Sequence, residues 1–181
     1  MLGSSNLQKW CEGMRFTLID KITEIQPGKS LTGLKNLSLA EEYLADHFPG
    51  FPVLPGVLMI EALVQAGAWL MREQHNFAYS TILLKQARGV KFSNFVSPGN
   101  TLIVKVDVKS WSGNQCTFQG TGTVNGGNAV TAKITLEQFN LRDNDPTLQS
   151  SDEYRIRKAR ELFGEVWKPP VAEAVVMEAT S

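Results

Sequence analysis

His47 and Glu61 stand fourteen positions apart in a stretch that is otherwise almost entirely apolar, from His47-Phe48-Pro49-Gly50-Phe51-Pro52 through Pro55-Gly56-Val57-Leu58 to Glu61-Ala62-Leu63-Val64-Gln65. Ionisable side chains are seldom placed in such surroundings without a partner or a task. An imidazole titrates near neutral pH and suits a general base. A carboxyl set among Leu58, Ile60, Leu63 and Val64 is expected to be desolvated, which raises its pKa and keeps its proton available; Glu61 therefore suits a general acid. Each residue alone also has a plainer reading. His47 can be a turn histidine hydrogen-bonded to backbone, and Glu61 a carboxylate paired with a buried donor.

The elements that must position this pair can be read around it. Pro55 suits the first helical position, where a missing N–H costs nothing. Val57 to Met71 is apolar on nearly every face, so this helix should be surrounded by protein. Arg72, Glu73 and His75 mark its solvated end, with His75 exposed and favoured by the helix dipole. The run from Phe48 to Met71 resembles a membrane span only superficially. Glu61 and Gln65 interrupt it, and about sixteen residues from Pro55 can be helical, short of the roughly 20 a bilayer needs.

Before the helix, Arg15 to Gln26 alternates as a strand, Pro27-Gly28 marks a turn, and Ser30 to Leu39 reads as a second strand. Ala40 to Asp46 is a short helical connection. After the helix the chain is β: Tyr79 to Gln86 with the apolar core Ile82-Leu83-Leu84, then Val90 and Phe92. Leu102 to Lys109 alternates, with Val104, Val106 and Val108 marking a buried face. Ser112-Gly113-Asn114 and Asn125-Gly126-Gly127 are hairpin turns. Cys116, Phe118 and Gly120 lie between them, and Val130, Ala132, Ile134 and Leu136 follow. Two strands, one buried helix and about four long strands joined by tight turns make an α+β architecture. Its mainly antiparallel sheet should curl around the helix.

The 181 residues suit one domain with an extension. We place the domain at residues 1–141. Residues 142–181 form an extension: a linker over Asp143 to Asp152, a short amphipathic helix over Tyr154 to Trp167, and a tail beyond Val171. That helix is expected to pack on its own domain or on a neighbouring subunit. Eighteen basic and eighteen acidic residues give zero formal net charge, which argues against nucleic-acid binding by bulk electrostatics. Cys11 and Cys116 lack metal-ligand spacing and read as reduced thiols of a cytoplasmic protein. Met1 to Met14 lacks the charged and apolar regions of a secretory signal.

The His47–Gln65 stretch closely resembles the signature of the FabZ-type 3-hydroxyacyl-acyl-carrier-protein dehydratases: His-Phe-Pro-Gly-x-Pro, then Pro-Gly-Val-Leu, then Glu-Ala and Gln at the same spacing. Val90-Lys91-Phe92 and Val96-Ser97-Pro98-Gly99 fit the family's later strand and turn. The resemblance covers roughly Phe16 to Leu141 and implies a hot-dog fold. It further implies a homodimer, in some members a trimer of dimers, whose sites each take a histidine from one subunit and a glutamate from the other. Acyl carrier protein would deliver the acyl chain into a narrow apolar tunnel, for which Phe48, Val57, Leu58 and Leu83 are candidates. No cofactor, metal, nucleic acid or membrane is implied. The chain departs from the family pattern at Asp46, where Gly is common, and at Phe51, often basic or polar. Ser93 and Asn94 stand where basic residues are frequent, and aliphatics around Leu83 replace an aromatic tunnel residue.

Dehydrating a 3-hydroxyacyl thioester to the trans-2-enoyl thioester requires a base for the α-proton, a proton donor for the departing hydroxyl, and hydrogen-bond donors for the developing enolate oxygen. His47 and Glu61 suit the first two. Gly56, at the helix N-terminus, can offer its free N–H to the thioester oxygen, a contribution of about 3–4 kcal/mol to the barrier for a donor of that kind. Gln65, one turn beyond Glu61, is a candidate either to support the glutamate by hydrogen bonding or to satisfy the interface. Lys85, Arg88 and Lys91 either attract an acidic carrier or are scattered surface charges. The competing functions are a hot-dog acyl thioesterase and a non-catalytic acyl-binding or scaffolding subunit.

Overall fold

The computed structural model describes residues 17–169. The expectations for Met1 to Met14, for Cys11, for the start of the first strand at Arg15 and Phe16, and for the tail beyond Val171 lie outside the described residues.

Strands β1 (Lys21–Gln26) and β2 (Ser30–Asn36) form the first hairpin. A 3-10 turn (Glu42–Ala45) leads to helix α1 (Gly56–Gln74). Strands β3 (Thr81–Phe92), β4 (Thr101–Ser112), β5 (Gln115–Val124) and β6 (Gly127–Phe139) complete one sheet of order β1-β2-β4-β5-β6-β3, antiparallel throughout. The tight hairpins come from residues that tolerate positive φ: Gly113 at +58° and the Asn125-Gly126 pair at +50° and +78°. The two strands before the helix and the four after it are those expected.

The strict alternation of β5, from Cys116 through Phe118, Gly120 and Gly122, turns every second residue onto the helix side. Helix α1 contacts every strand from β2 to β6 and approaches most closely where side chains are absent. A Cβ at Gly120 would lie 2.9 Å from Leu63 Cδ1, and one at Gly67 would lie 2.9 Å from Leu136 Cδ1 and 3.2 Å from Phe118 Cε2. Leu63, Phe118, Ile134 and Leu136 are fully buried there, each contributing about 1.5–3 kcal/mol by removal from water.

Several details differ from the sequence expectation. The sheet is open, with β1 and β3 as its edges, so the N-terminal half of α1 is not enclosed. Val57 is exposed, and Leu58, Ile60, Glu61 and Gln65 are half-buried. Within Ile82-Leu83-Leu84 only Ile82 is buried, because β3 pairs with β6 alone and both its faces stay open from Leu83 onward. His75 is half-buried, not exposed; its ring packs edge-on against Tyr79 and Trp111, with centroids 5.7 and 5.2 Å away.

The C-terminal helix begins earlier than expected. Helix α2 spans Gln149–Val166, so Thr147 to Asp152 is not a plain linker: a 3-10 turn (Pro146–Leu148), capped by Asp145, runs straight into it. Its inward stripe, Asp152, Ile156, Ala159, Phe163 and Val166, packs on the chain's own domain. Phe163 meets Trp69 and Phe77 at 5.7 and 5.3 Å, and Trp167 bridges to Ile22 of β1. Asp152 is fully buried and accepts hydrogen bonds from Ser80 Oγ (2.5 Å) and from the N–H groups of Leu141 and Arg142 (both 3.0 Å).

Candidate active site

The proline- and glycine-rich turn presents His47. Val53 N–H donates to His47 O at 3.0 Å, Phe51 N–H donates to Phe48 O at 2.9 Å, and Leu54 N–H reaches Val96 O at 2.8 Å. The turn is thus closed on itself and pinned to the segment after β3. His47 Nδ1 lies 3.2 Å from Val53 O. A carbonyl only accepts, so this contact requires the proton on Nδ1 and leaves the Nε2 lone pair available. A backbone-bonded histidine and a histidine with a free Nε2 lone pair are therefore compatible with one geometry. The Phe48 ring stacks on the imidazole at 4.2 Å and is itself half exposed.

Glu61 sits on the uncovered strip of α1. Its Oε1 accepts a hydrogen bond from Gln65 Nε2 at 3.0 Å, and Gln65 Oε1 accepts one from Leu18 N–H at 2.8 Å. The backbone before β1 thereby fixes the amide's orientation, and the amide fixes one carboxyl oxygen. Leu63 and Val64 are buried nearby, but Glu61 is only half-buried, because the expected apolar enclosure is incomplete where the sheet is open. Among the described residues no hydrogen bond joins His47 to Glu61.

At the helix start, Pro55 is the N-cap, not the first helical residue, and its carbonyl takes the N–H groups of Leu58 and Met59 at 2.9 and 3.2 Å. The N–H groups of Gly56 and Val57 precede any intrahelical acceptor. No acidic side chain stands in the first turn to offset the positive end of the dipole. The Phe92 ring lies directly over Gly56, where a Cβ would fall 2.9 Å from Phe92 Cε1.

Of the apolar candidates, Phe48, Val57 and Leu83 are more than half exposed, and Leu58 is half-buried. Leu83 lies on β3 and shares that open strand with the exposed Leu84, Val90 and Phe92. Among the basic candidates Lys85 is engaged with Glu137 at 3.0 Å, whereas Arg88 and Lys91 are exposed. Sequence reasoning did not single out Leu18 or Phe92 as site residues. Leu18 acts through its backbone, which carries no side-chain signal, and the Phe92–Gly56 contact joins distant positions. Among the described residues no group of three His, Cys, Asp or Glu side chains is arranged to hold a metal, and no helix is long and apolar enough to cross a membrane.

Comparison with known proteins identifies the family. The family profile described as FabA-like domain matches residues 11–133. The 3-hydroxyacyl-[acyl-carrier-protein] dehydratase FabZ of Clostridium acetobutylicum is 37% identical over 119 residues, 66% of this chain and 84% of that protein. The FabZ proteins of Rickettsia massiliae and Thermomicrobium roseum are 36% and 39% identical, each over 66% of this chain and over 83% and 80% of their own lengths. Among solved structures, the dehydratase heterocomplex ApeI:P from Xenorhabdus doucetiae has a chain similar at TM-score 0.60 and 18% identity, covering 74% of this chain and 90% of that one. A probable thioesterase from Bartonella henselae is similar at TM-score 0.51 and 14% identity, covering 64% and 94%; at such identities these likenesses bear on the fold alone. The profile match, the FabZ relatives and the helix packed on an antiparallel sheet lead to one conclusion: the chain belongs to the FabA-like domain family and has the hot-dog fold.

Proposed function

We propose that this chain is a hydro-lyase that converts 3-hydroxyacyl-[acyl-carrier-protein] to the trans-2-enoyl thioester in fatty acid or related acyl-chain synthesis. His47 Nε2 removes the α-proton while Nδ1–H stays bonded to Val53 O. Glu61 gives a proton to the leaving hydroxyl, and the Gly56 N–H receives the charge that develops on the thioester oxygen. The reaction needs neither metal nor redox cofactor, since every step is a proton transfer or a charge stabilisation. The observation that carries this reading is that each ionisable group is oriented by its own hydrogen bond, His47 by Val53 O and Glu61 by Gln65, with the start of a helix between them in the chain.

His47 and Glu61 of one chain are not joined, so we assign each complete site to two subunits of a homodimer. The open β3 edge supports this. Leu83, Leu84, Val90 and Phe92 are exposed along a strand whose outer hydrogen-bonding edge is unpaired among the described residues, and such an edge favours pairing with another strand. A trimer of dimers is compatible with this pairing. The partner is acyl carrier protein, the substrate carrier named for the relatives, and the setting is cytoplasmic, consistent with the buried free thiol of Cys116.

The test is an assay with 3-hydroxyacyl and enoyl thioesters, following enoyl absorbance and free thiol together. Interconversion of hydroxyacyl and enoyl forms without thiol release is the expected result. Thiol release without hydration or dehydration would mark a thioesterase, and no turnover with any carrier or chain length would mark a scaffold.

A further inference from the structure

Lys35 occupies a position that the alternation of β2 assigns to the core. Leu31, Gly33 and Lys35 are the buried side of that strand, continued by buried Leu37, while Asn36 faces solvent. Lys35 is 5% exposed. An ammonium in such a place is costly unless paired, and its Nζ lies 2.6 Å from Glu41 Oε1. Tyr43 also hydrogen-bonds Glu41, and Asp20 acts on Tyr43 from the chain before β1. Burial pushes the Glu41 carboxyl up, but the Lys35 and Tyr43 hydrogen bonds and the Lys35 charge outweigh it and hold the group ionised below the usual range.

The pair joins a central part of the sheet to the segment that carries His47. Lys35 is paired in register with Leu102 of β4. Glu41 stands at the N-cap of the 3-10 turn Glu42–Ala45, where its carbonyl accepts the N–H of Leu44 at 3.0 Å. Leu37 N–H donates at 3.0 Å to the carbonyl of Asn100, the residue before β4. Between Leu37 and His47, Ser38, Leu39, Ala40, Glu42, Ala45 and Asp46 are exposed, and only Leu44 is buried. Leu44 supplies apolar contact, which does not fix direction. The ion pair supplies a directional tie six residues before the imidazole, while the Val53 contacts hold the imidazole from the other side.

We propose that the Lys35–Glu41 pair is a positioning latch that sets the approach of His47 to the substrate. The proposal rests on the reading of His47 as the base. A buried ion pair replaced by apolar residues of similar size is commonly neutral or stabilising. What such a replacement removes here is therefore placement, not folding energy. Displacing a catalytic group by about 1 Å costs on the order of 100-fold in rate.

The full-length protein carrying Lys35→Met together with Glu41→Leu tests this, with Glu41→Gln as a milder variant that preserves shape. Activity is normalised to folded protein, and Lys35→Arg serves as the charge-preserving control. The latch predicts that kcat falls about 10- to 100-fold while KM stays within about twofold, with Lys35→Arg recovering most of the loss. Wild-type kcat per folded molecule in both Glu41→Gln and the double variant overturns it. A KM effect without a kcat effect overturns it as well. His47→Ala is measured alongside: if that variant keeps its activity, the base assignment itself fails, whereas an inactive His47→Ala beside a fully active double variant refutes the latch alone.

Discussion

The Phe92 ring covers the Cα of Gly56 so closely that a Cβ there would lie 2.9 Å from Cε1 and 3.0 Å from Cζ. Only a residue without a Cβ fits against the ring where it stands. Gly56→Ala should displace Phe92, which is half exposed and able to swing, so the stability cost stays near 1 kcal/mol, at the low end for overpacking. The kcat should fall by about 10- to 100-fold as the N–H loses its alignment with the thioester oxygen. Parallel measurement of urea midpoint and kcat separates the two effects. Unchanged kcat would show that the Phe92 contact does not set the alignment of that N–H.

Gln65 spans from Leu18 N–H to Glu61 Oε1. Gln65→Leu keeps the side-chain size but frees the carboxyl to rotate and leaves the Leu18 N–H without this acceptor. We expect a loss of about 1–3 kcal/mol in stability and a fall in kcat that exceeds the change in KM. Chemical denaturation and steady-state kinetics on the same preparation check both. A change in stability alone would make Gln65 an interface-satisfying residue only.

The exposed apolar residues of β3 predict how the proposed dimer can be broken. Leu84→Lys places a charge on the open edge strand, where charged residues oppose strand-to-strand pairing. If the site is shared as proposed, sedimentation should show dissociation to monomers with loss of turnover. A fully active monomer would contradict the shared site.

Asp152 anchors the C-terminal helix. Burial alone pushes its carboxyl up; hydrogen bonds from Ser80, Arg142 and Leu141, with the Arg142 charge, outweigh that and hold it below the usual range. The unfolded carboxyl, with a pKa of about 3.9, therefore takes up its proton first on acidification. The stabilisation is complete above the unfolded pKa and is lost as pH falls through the lower folded pKa. Asp152→Asn should cost about 2–3 kcal/mol at pH 7, since an amide places N–H groups against donors, and it should flatten the acid limb of stability. Urea midpoints between neutral pH and pH 3 measure this. An unchanged acid limb would exclude Asp152 as its source.

The parts of the fold and site legible in the sequence are the local ones. Alternation from Leu102 to Leu136 located β4, β5 and β6 because each has one face on the core and one in solvent. The turn that carries His47 was legible because its proline and glycine residues determine the backbone directly. Strand β3 was misread at Leu83 and Leu84 because an apolar run looks the same whether the same chain or another surface covers it. The start of α2 was missed because its first turn, Gln149-Ser150-Ser151-Asp152, is polar, and Asp152 is buried by contacts to Ser80 and the Leu141–Arg142 backbone. The Gln65–Leu18 hydrogen bond spans 47 positions and carries no periodic signal at all.

Subunit mixing decides whether His47 of one subunit works with Glu61 of its neighbour. His47→Ala and Glu61→Ala proteins, each inactive alone, are exchanged one to one, with two affinity tags proving heterodimer formation. Random pairing with two-fold symmetry places one intact site in half of the dimers, so activity should recover to about a quarter of the wild-type value. No recovery in proven heterodimers would contradict the shared site.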